Sequence, residues 1–363
     1  MPFTSRTLAL PANIPFVGPE ALERRLGIRF EARLGANESV FGPSPLVLEA
    51  MAAAARESWA YGDPEHHDLK AALAAHHGLE PDCFVTGEGI DGLFGLLAQL
   101  TLDPGDKVVT SLGAYPTFNY HVAGHGGVLD LVPYLDDRED LDALTARIAS
   151  VRPKLAYVAN PDNPTGSWHE APAIERLIEA LPAGTLLVLD EAYGDLAPAS
   201  ALPPLLPLRS NVLRFRTFSK AYGMAGVRVG YAIGTPEVVA QFNKVRNHFG
   251  LSRMAQAGAV AALADQAHLR DTVARIERAR ERLSEIAGGL GLRALPSATN
   301  FVAIDCGRDG GFARRVLDGV VAERVFIRMP GVAPLDRLIR VTVGRDEDME
   351  RFALALERSL AKA

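Results

Sequence analysis

The sequence predicts an α/β protein: a large domain built on a mostly parallel seven-stranded sheet sandwiched by helices, then a smaller C-terminal α+β domain. Three observations lead there. Short apolar, β-rich runs alternate with helical patterns through the first two thirds of the chain, as parallel strands with crossover helices do. Near residue 265 that alternation gives way to a long charged amphipathic helix. At 363 residues the chain exceeds one small domain, so a large unit plus a smaller one is the natural division.

Taken in order, residues 1–35 read as an irregular arm with one short helix, Pro19–Leu26, packing on the small domain or on a partner chain. From 36 to 264 the strand candidates are Cys83–Thr86, Lys107–Thr110, Val128–Val132, Leu155–Ala159, Leu186–Asp190, Val212–Thr217 and Arg228–Ile233. Helical stretches such as Gly92–Leu100 and Ala173–Ala180 separate several of them. In such sheets a ligand sits beyond the carboxyl ends of the strands. The small domain, 265–363, opens with the charged helix 265–288, carrying Arg270, Arg275, Glu277, Arg280 and Arg282. Strands near Phe301–Asp305 and Leu338–Val343 follow, with helices between and after them.

Composition excludes several function classes. A formal net charge of −6, with 48% apolar and 23% charged residues, gives no reason to expect nucleic acid or an anionic membrane as partner. No apolar run reaches the ~20 residues that cross a bilayer, and the N-terminus lacks a signal-peptide pattern. Cys83 and Cys306 stand far apart without partner motifs and read as reduced thiols of a cytoplasmic protein. No metal is expected. The adjacent pairs His66-His67 and His76-His77 do not share a helix face. Between His121 and His125, Val122 stands where a zinc protease carries its glutamate.

The chemistry concentrates in a few segments. Arg216-Thr217-Phe218-Ser219-Lys220 follows an apolar strand and places a lysine among small and hydroxyl residues, with Arg228 eight positions on. Such a lysine can be held against a cofactor aldehyde while Ser219 and Arg228 bind a phosphate on the same ligand; the plainer alternative is a surface lysine. Asp190 ends a strand, so its carboxylate emerges at the ligand edge of the sheet or else caps a helix. Asn160-Pro-Asp-Asn163-Pro-Thr-Gly166 is a turn that leaves Asn163 free to bond a ligand or serves only as a turn. Gly87-Glu-Gly89-Ile90-Asp91-Gly92 opens a helix with dinucleotide-fingerprint spacing. No acidic residue closes the next strand, so the safer content is a helix N-terminus able to bind phosphate, worth ~0.3–1 kcal/mol from its dipole. Arg328 and Arg340 suit bidentate capture of a carboxylate or phosphate, although 32 of the 38 basic residues are arginines and most of those are surface charges.

As an ordered set, these residues resemble the fold-type-I pyridoxal-phosphate aminotransferases of class I/II, and among them the histidinol-phosphate aminotransferase group. Leu34-Gly-Ala-Asn37-Glu38, Tyr61-Gly-Asp-Pro64, the glycine turn, Pro116-Thr-Phe118, Asn163-Pro-Thr-Gly166, Asp190-Glu-Ala-Tyr193, Ser219-Lys220, Arg228 and Arg340-Val-Thr-Val-Gly344 carry the likeness over most of the chain. The resemblance implies an aspartate-aminotransferase-like fold and pyridoxal 5′-phosphate as cofactor. It implies that Lys220 binds that cofactor as a Schiff base and later carries a proton, that Asp190 pairs with the ring nitrogen, and that Asn163 and Tyr193 bond the phenolic oxygen. It further implies that Phe118 stacks on the ring, and that Gly89, Ile90, Asp91, Thr217, Ser219 and Arg228 form the phosphate cradle. Tyr61 is implied to reach the cofactor of a second subunit in a homodimer. Arg340 and Arg328, with Asn163 and Phe16, are implied to meet the substrate. For a lysine titrating near ~10.4 to act as a base near neutrality, its pKa must drop by roughly 3 units, about 4 kcal/mol.

The chain departs from the group where Phe16 stands for the usual tyrosine, where His248-Phe249-Gly250-Leu251-Ser252 replaces Pro-Tyr-Asn-Val-Asn, and at Glu88, Ile90 and Gly92. The expected activity is amino transfer from L-histidinol phosphate to 2-oxoglutarate, a step of histidine biosynthesis. The alternatives are an aromatic-amino-acid aminotransferase, favoured by Phe16 and Phe249, and a pyridoxal-phosphate-dependent O-phosphothreonine decarboxylase. A nicotinamide dehydrogenase would explain the glycine turn and leave Lys220, Asp190 and Asn163 unused.

Overall fold

The computed structural model describes residues 2–11 and 17–363. Its strands, in chain order, are β1 (Ala32–Arg33), β2 (Phe84–Gly87), β3 (Lys107–Ser111), β4 (Val128–Val132), β5 (Leu155–Ala159), β6 (Leu186–Asp190), β7 (Val212–Thr217), β8 (Gly230–Ile233), β9 (Arg293–Ala294), β10 (Phe301–Asp305), β11 (Val325–Phe326) and β12 (Leu338–Thr342). Strands β2 to β8 form one sheet in the order β2-β8-β7-β6-β5-β3-β4. It is mostly parallel, as expected, with one reversal: β8 runs antiparallel to both β7 and β2. The cause is local. The segment 218–229 between β7 and β8 holds no crossover helix, so the chain returns beside the strand it left. That returning segment carries Lys220.

The central strands are covered on both faces, which is why they read as continuous apolar runs. Along β5, Leu155, Tyr157 and Ala159 join the larger core while Ala156 and Val158 join a second one on the opposite face. The helices Leu141–Val151 and Ala171–Glu179 supply Leu144, Ile148, Ile174 and Leu177 to that second core. On the larger-core side the helix Gly89–Thr101 brings Leu93, Phe94 and Leu97, and the helix Pro116–Gly124 brings Phe118 and Val122. Period-2 alternation therefore puts Asp190, two residues beyond Val188 on β6, on the same face as Tyr157.

C-terminal to the helix Gln266–Gly289, β10 is the centre of a three-stranded antiparallel sheet, β12-β10-β9. Beside it, β1 pairs in parallel with β11, with Ala32 opposite Val325, so the chain's beginning is built into its end. These short strands β1, β9 and β11, and a helix at Ser5–Ala9, have too little periodicity to stand out in the sequence.

Candidate active site

A cavity of about 740 Å³ opens where the central strands end. Ala159, Asp190 and Thr217, the last residues of β5, β6 and β7, all line it. This is the carboxyl edge at which ligands of such sheets bind. Among the predicted residues, Ile90, Asp91, Asn163, Asp190, Tyr193, Thr217, Ser219, Lys220, Arg228, Arg328 and Arg340 line the same space.

The lysine loop is pressed against the rest of the fold at Gly223. Its φ is +70°, and a Cβ there would lie 2.3 Å from the Gly42 carbonyl carbon and oxygen, so only glycine lets the two backbones meet. Lys220 reaches from this loop to the Asn37 carbonyl, Nζ donating at 3.0 Å. Burial, with the guanidiniums of Arg340 and Arg228, lowers its amine to about 8; Asp91 and Glu38 act against this.

Asp190 lies buried on the cavity floor. Burial raises its carboxyl to about 6, although the Tyr157 hydroxyl donates to Oδ2 at 2.7 Å and the Ala192 N–H to Oδ1 at 2.9 Å. The next residue, Glu191, has the opposite fate. Its burial is outweighed by Arg214 and Arg216, which bond both its oxygens at 2.6–3.0 Å and hold it below the usual carboxylate range. This buried network ties the segment after β6 to β7, so the strand ends that carry Asp190 and Thr217 stay in fixed relation.

The helix Gly89–Thr101 brings its first turn, Ile90 and Asp91, to the same cavity. Thr217 Oγ1 bonds Ser219 Oγ at 2.9 Å and accepts the Ser219 N–H at 3.1 Å; Arg228 Nη1 donates to Ser219 Oγ at 3.3 Å. Gly89 does not line the cavity but is necessary to it. Its φ is +78°, and a Cβ there would lie 2.2 Å from Arg228 Nη2, so a side chain at 89 would push the guanidinium out. Backbone N–H groups, two hydroxyls and a guanidinium in one corner form a cradle for a dianion.

Arg340, at the middle of β12, donates from Nη1 to Asn163 Oδ1 at 2.6 Å and from Nη2 to the Gly35 carbonyl at 3.1 Å, while its buried Nε has no partner. Burial, with Arg328 nearby, lowers its guanidinium to about 10. Arg328 faces it across an antiparallel bridge, Arg340 N–H donating to the Arg328 carbonyl at 2.6 Å, and also donates from Nη2 to the Val17 carbonyl at 3.0 Å. Two cations from one bridge thus line the cavity. The spacing of 328 and 340 in the sequence reflects this pairing.

Two predicted residues, Phe118 and Tyr61, fall elsewhere. Phe118 is a correction: it is 0% exposed, does not line the cavity, and stacks on Tyr157 with ring centres 4.5 Å apart and planes 22° from parallel. It occupies the core-facing side of the helix Pro116–Gly124, whereas Tyr115, just before that helix, lines the cavity and donates to Asp91 Oδ2 at 3.3 Å. Tyr61 lies outside this chain's own cavity, 78% exposed, its ring 4.8 Å from that of Phe249. Phe16 lies outside the described residues.

The sequence suggests no role for Tyr157, and it shows Asn37 and Glu38 only as members of a motif. Tyr157 reads as one more apolar strand residue, and Asn37 acquires its partners only through the fold. The donor set fits the implied cofactor: a dianion cradle, a buried carboxylate for a ring nitrogen, and a lysine of lowered basicity share one enclosure. The unpartnered Arg340 Nε supplies a further donor.

Comparison with known proteins places nearly the whole chain in one family. Residues 32–356 match the family described as aminotransferase class I and II. The chain is 34% identical to the histidinol-phosphate aminotransferase of Moorella thermoacetica over 98% of its own length and 92% of the relative's. It is 53% identical, with a TM-score of 0.97, to the Sinorhizobium meliloti histidinol-phosphate aminotransferase crystallised with pyridoxal-5′-phosphate, covering 99% of this chain and 98% of that one. A single mutant of Thermus thermophilus aspartate aminotransferase superposes with a TM-score of 0.83 at 25% identity, covering 99% and 100%.

Proposed function

Because the chain belongs to the aminotransferase class I and II family, whose cofactor is pyridoxal 5′-phosphate, we propose that it transfers the amino group of L-histidinol phosphate to 2-oxoglutarate, a step of histidine biosynthesis. The observation that carries the choice of donor is the pair Arg328 and Arg340, which line one cavity with Lys220 and Asp190. Two guanidiniums suit a phosphate dianion on the donor and a carboxylate on the acceptor. The names of the relatives point the same way.

When bound, the cofactor supplies an aldehyde to take the amino group and a ring that draws electrons from the substrate's α-carbon. The protein does the rest. The Thr217, Ser219 and Arg228 cradle holds the phosphate end. Asp190 keeps a proton at the ring nitrogen, a role its depth suits because a carboxylate shielded from water interacts strongly with one partner. Tyr193 and Asn163 would bond the phenolic oxygen, and Lys220, whose amine burial lowers to about 8, would move the proton to and from the α-carbon. Arg340 fixes the substrate anion and, through Asn163, links substrate binding to that phenolic oxygen.

The active form is a homodimer in this reading, with Tyr61 reaching the cofactor of the second chain. Trp59 at 86% and Tyr61 at 78% exposure, with half-exposed Phe249 against Tyr61, are costly to leave in water and support it. No helix among the described residues is long and apolar enough to cross a membrane. The buried free thiols of Cys83 and Cys306 suit a reducing cytoplasm and support placing the reaction there.

Stopped-flow half-reactions test the donor. Histidinol phosphate is expected to bleach the holoenzyme band near ~420 nm at micromolar concentrations. Phenylalanine and tyrosine are expected to do so far more slowly, because they leave Arg328 without its anion. Fast bleaching by phenylalanine with none by histidinol phosphate assigns the enzyme to aromatic amino acids instead.

A further inference from the structure

We infer that Asn37 is a positioning residue that aims the Tyr193 hydroxyl proton into the cavity and makes that aim depend on strand β12. The inference rests on Tyr193 and Lys220 facing the cofactor. The Asn37 backbone N–H donates to Thr342 Oγ1 at 3.0 Å, so this hydroxyl is already an acceptor. Its own proton goes to Asn37 Oδ1, also at 3.0 Å. That fixes which end of the carboxamide is oxygen and turns Nδ2 toward Tyr193, where it donates to the phenolic oxygen at 2.9 Å. With its lone pair engaged from behind, Tyr193 must spend its proton in front, toward the cavity it lines.

The backbone of Asn37 joins the same arrangement. Its φ is +56°, a left-handed conformation that asparagine tolerates better than most residues. Its carbonyl accepts from both Lys220 Nζ and Asn300 Nδ2 at 3.0 Å. Every one of these groups is buried or partly buried, so water cannot substitute for a missing partner.

The consequence reaches β12. Arg340 and Thr342 stand two apart on that strand and so share one face. Arg340 bonds Asn163 directly and Thr342 bonds Tyr193 through Asn37. Both groups assigned to the phenolic oxygen are therefore held from one strand face, and a shift of β12 when an anion binds Arg340 changes both bonds together. Lengthening either bond leaves more negative charge on the phenolic oxygen, and a proton beside it is held more tightly.

The test uses pH titration of the visible band of the cofactor-loaded enzyme. Asn37→Gly keeps the left-handed backbone and the carbonyl while deleting the carboxamide; Thr342→Val deletes the hydroxyl at nearly constant shape. Each is expected to raise the titration midpoint by about half a pH unit or more, and Thr342→Ser is expected to return it to the wild-type value. A structural role alone lowers melting temperature and leaves the midpoint in place, and that result in either variant that folds overturns the inference. If Asn37→Gly fails to fold, Thr342→Val against Thr342→Ser decides. Absence of a borohydride-sensitive band from the wild-type enzyme overturns the underlying cofactor assignment instead, which keeps the two failures distinct.

Discussion

Tyr157 and Asp190 are diagonal neighbours on adjacent parallel strands: Tyr157 pairs in register with Val188, yet its hydroxyl reaches two residues further to Asp190 Oδ2 at 2.7 Å. The contact anchors the site's acidic residue to the aromatic core of Phe94, Phe118 and Phe215. It also bears on stability in the cofactor-free protein. Asp190 titrates at about 6 when folded against 3.8 for the ordinary carboxyl, so the folded state binds the extra proton. Its contribution is fully present below pH ~4 and is lost as pH rises through about 6. Asp190→Asn is expected to gain on wild type across that window, by up to about 3 kcal/mol. Urea unfolding of both apoproteins at pH 4.5 and 7 measures it; a difference that does not change with pH contradicts the raised pKa.

Asp190→Ala is expected to retain cofactor, since the phosphate cradle is untouched, and to lose most turnover. Removing a preorganised charge from a buried site costs on the order of 3–4 kcal/mol, about a hundredfold to a thousandfold in kcat. Near-wild-type kcat would remove Asp190 from the mechanism.

Lys220 is expected to set the pH dependence of reconstitution. Only the neutral amine attacks an aldehyde, so the rate at which apoprotein captures pyridoxal phosphate should rise with pH and level off above about 8. A lysine at the ordinary value keeps accelerating toward pH ~10. Stopped-flow absorbance between pH 6 and 10 separates the two profiles, and Lys220→Ala should show neither.

Phe118 and Tyr115 make opposite predictions. Phe118→Leu removes core volume and should cost about 1–2 kcal/mol of unfolding free energy while changing cofactor affinity little. Tyr115→Leu should leave stability nearly intact and weaken cofactor binding about tenfold. Chemical denaturation beside apoprotein titration reads both; the reverse pattern restores Phe118 to the ring-stacking role.

At the substrate end, Arg340→Lys keeps charge but loses the fork that bonds Asn163 and Gly35. A fall of about 30- to 150-fold in kcat/KM is expected for both half-reactions, corresponding to ~2–3 kcal/mol. Arg328→Gln should instead fall mainly on the phosphate-bearing donor, and equal losses with donor and acceptor would deny it that specificity.

The sequence was most readable where one element suffices. Apolar runs with both faces covered announced β5, β6 and β7 to the residue, the short apolar run of the edge strand β4 was as legible, and strand-end polar residues such as Asp190 announced the ligand edge. Reading failed where a role depends on which face of an element meets which neighbour. Phe118 and Tyr115 are three positions apart around one helix start, and only packing against Tyr157 decides which faces the core. The reversal of β8 was equally hidden, because strand direction depends on the connection and not on strand composition. Asn37 lies in no periodic pattern at all, and its partners come from residues 193, 220, 300 and 342.

The pairing of Ala32 with Val325 has a consequence for biogenesis. Just beyond β1, the Gly35 carbonyl waits for Arg340 and the Asn37 backbone for Thr342, so the enclosure is sealed by threads from opposite ends of the polypeptide. Contacts so distant along the chain carry a high loop-closure cost and form late. A ribosome-bound precursor can shape its central sheet early, but it stays without a finished pocket until β12 has been synthesised.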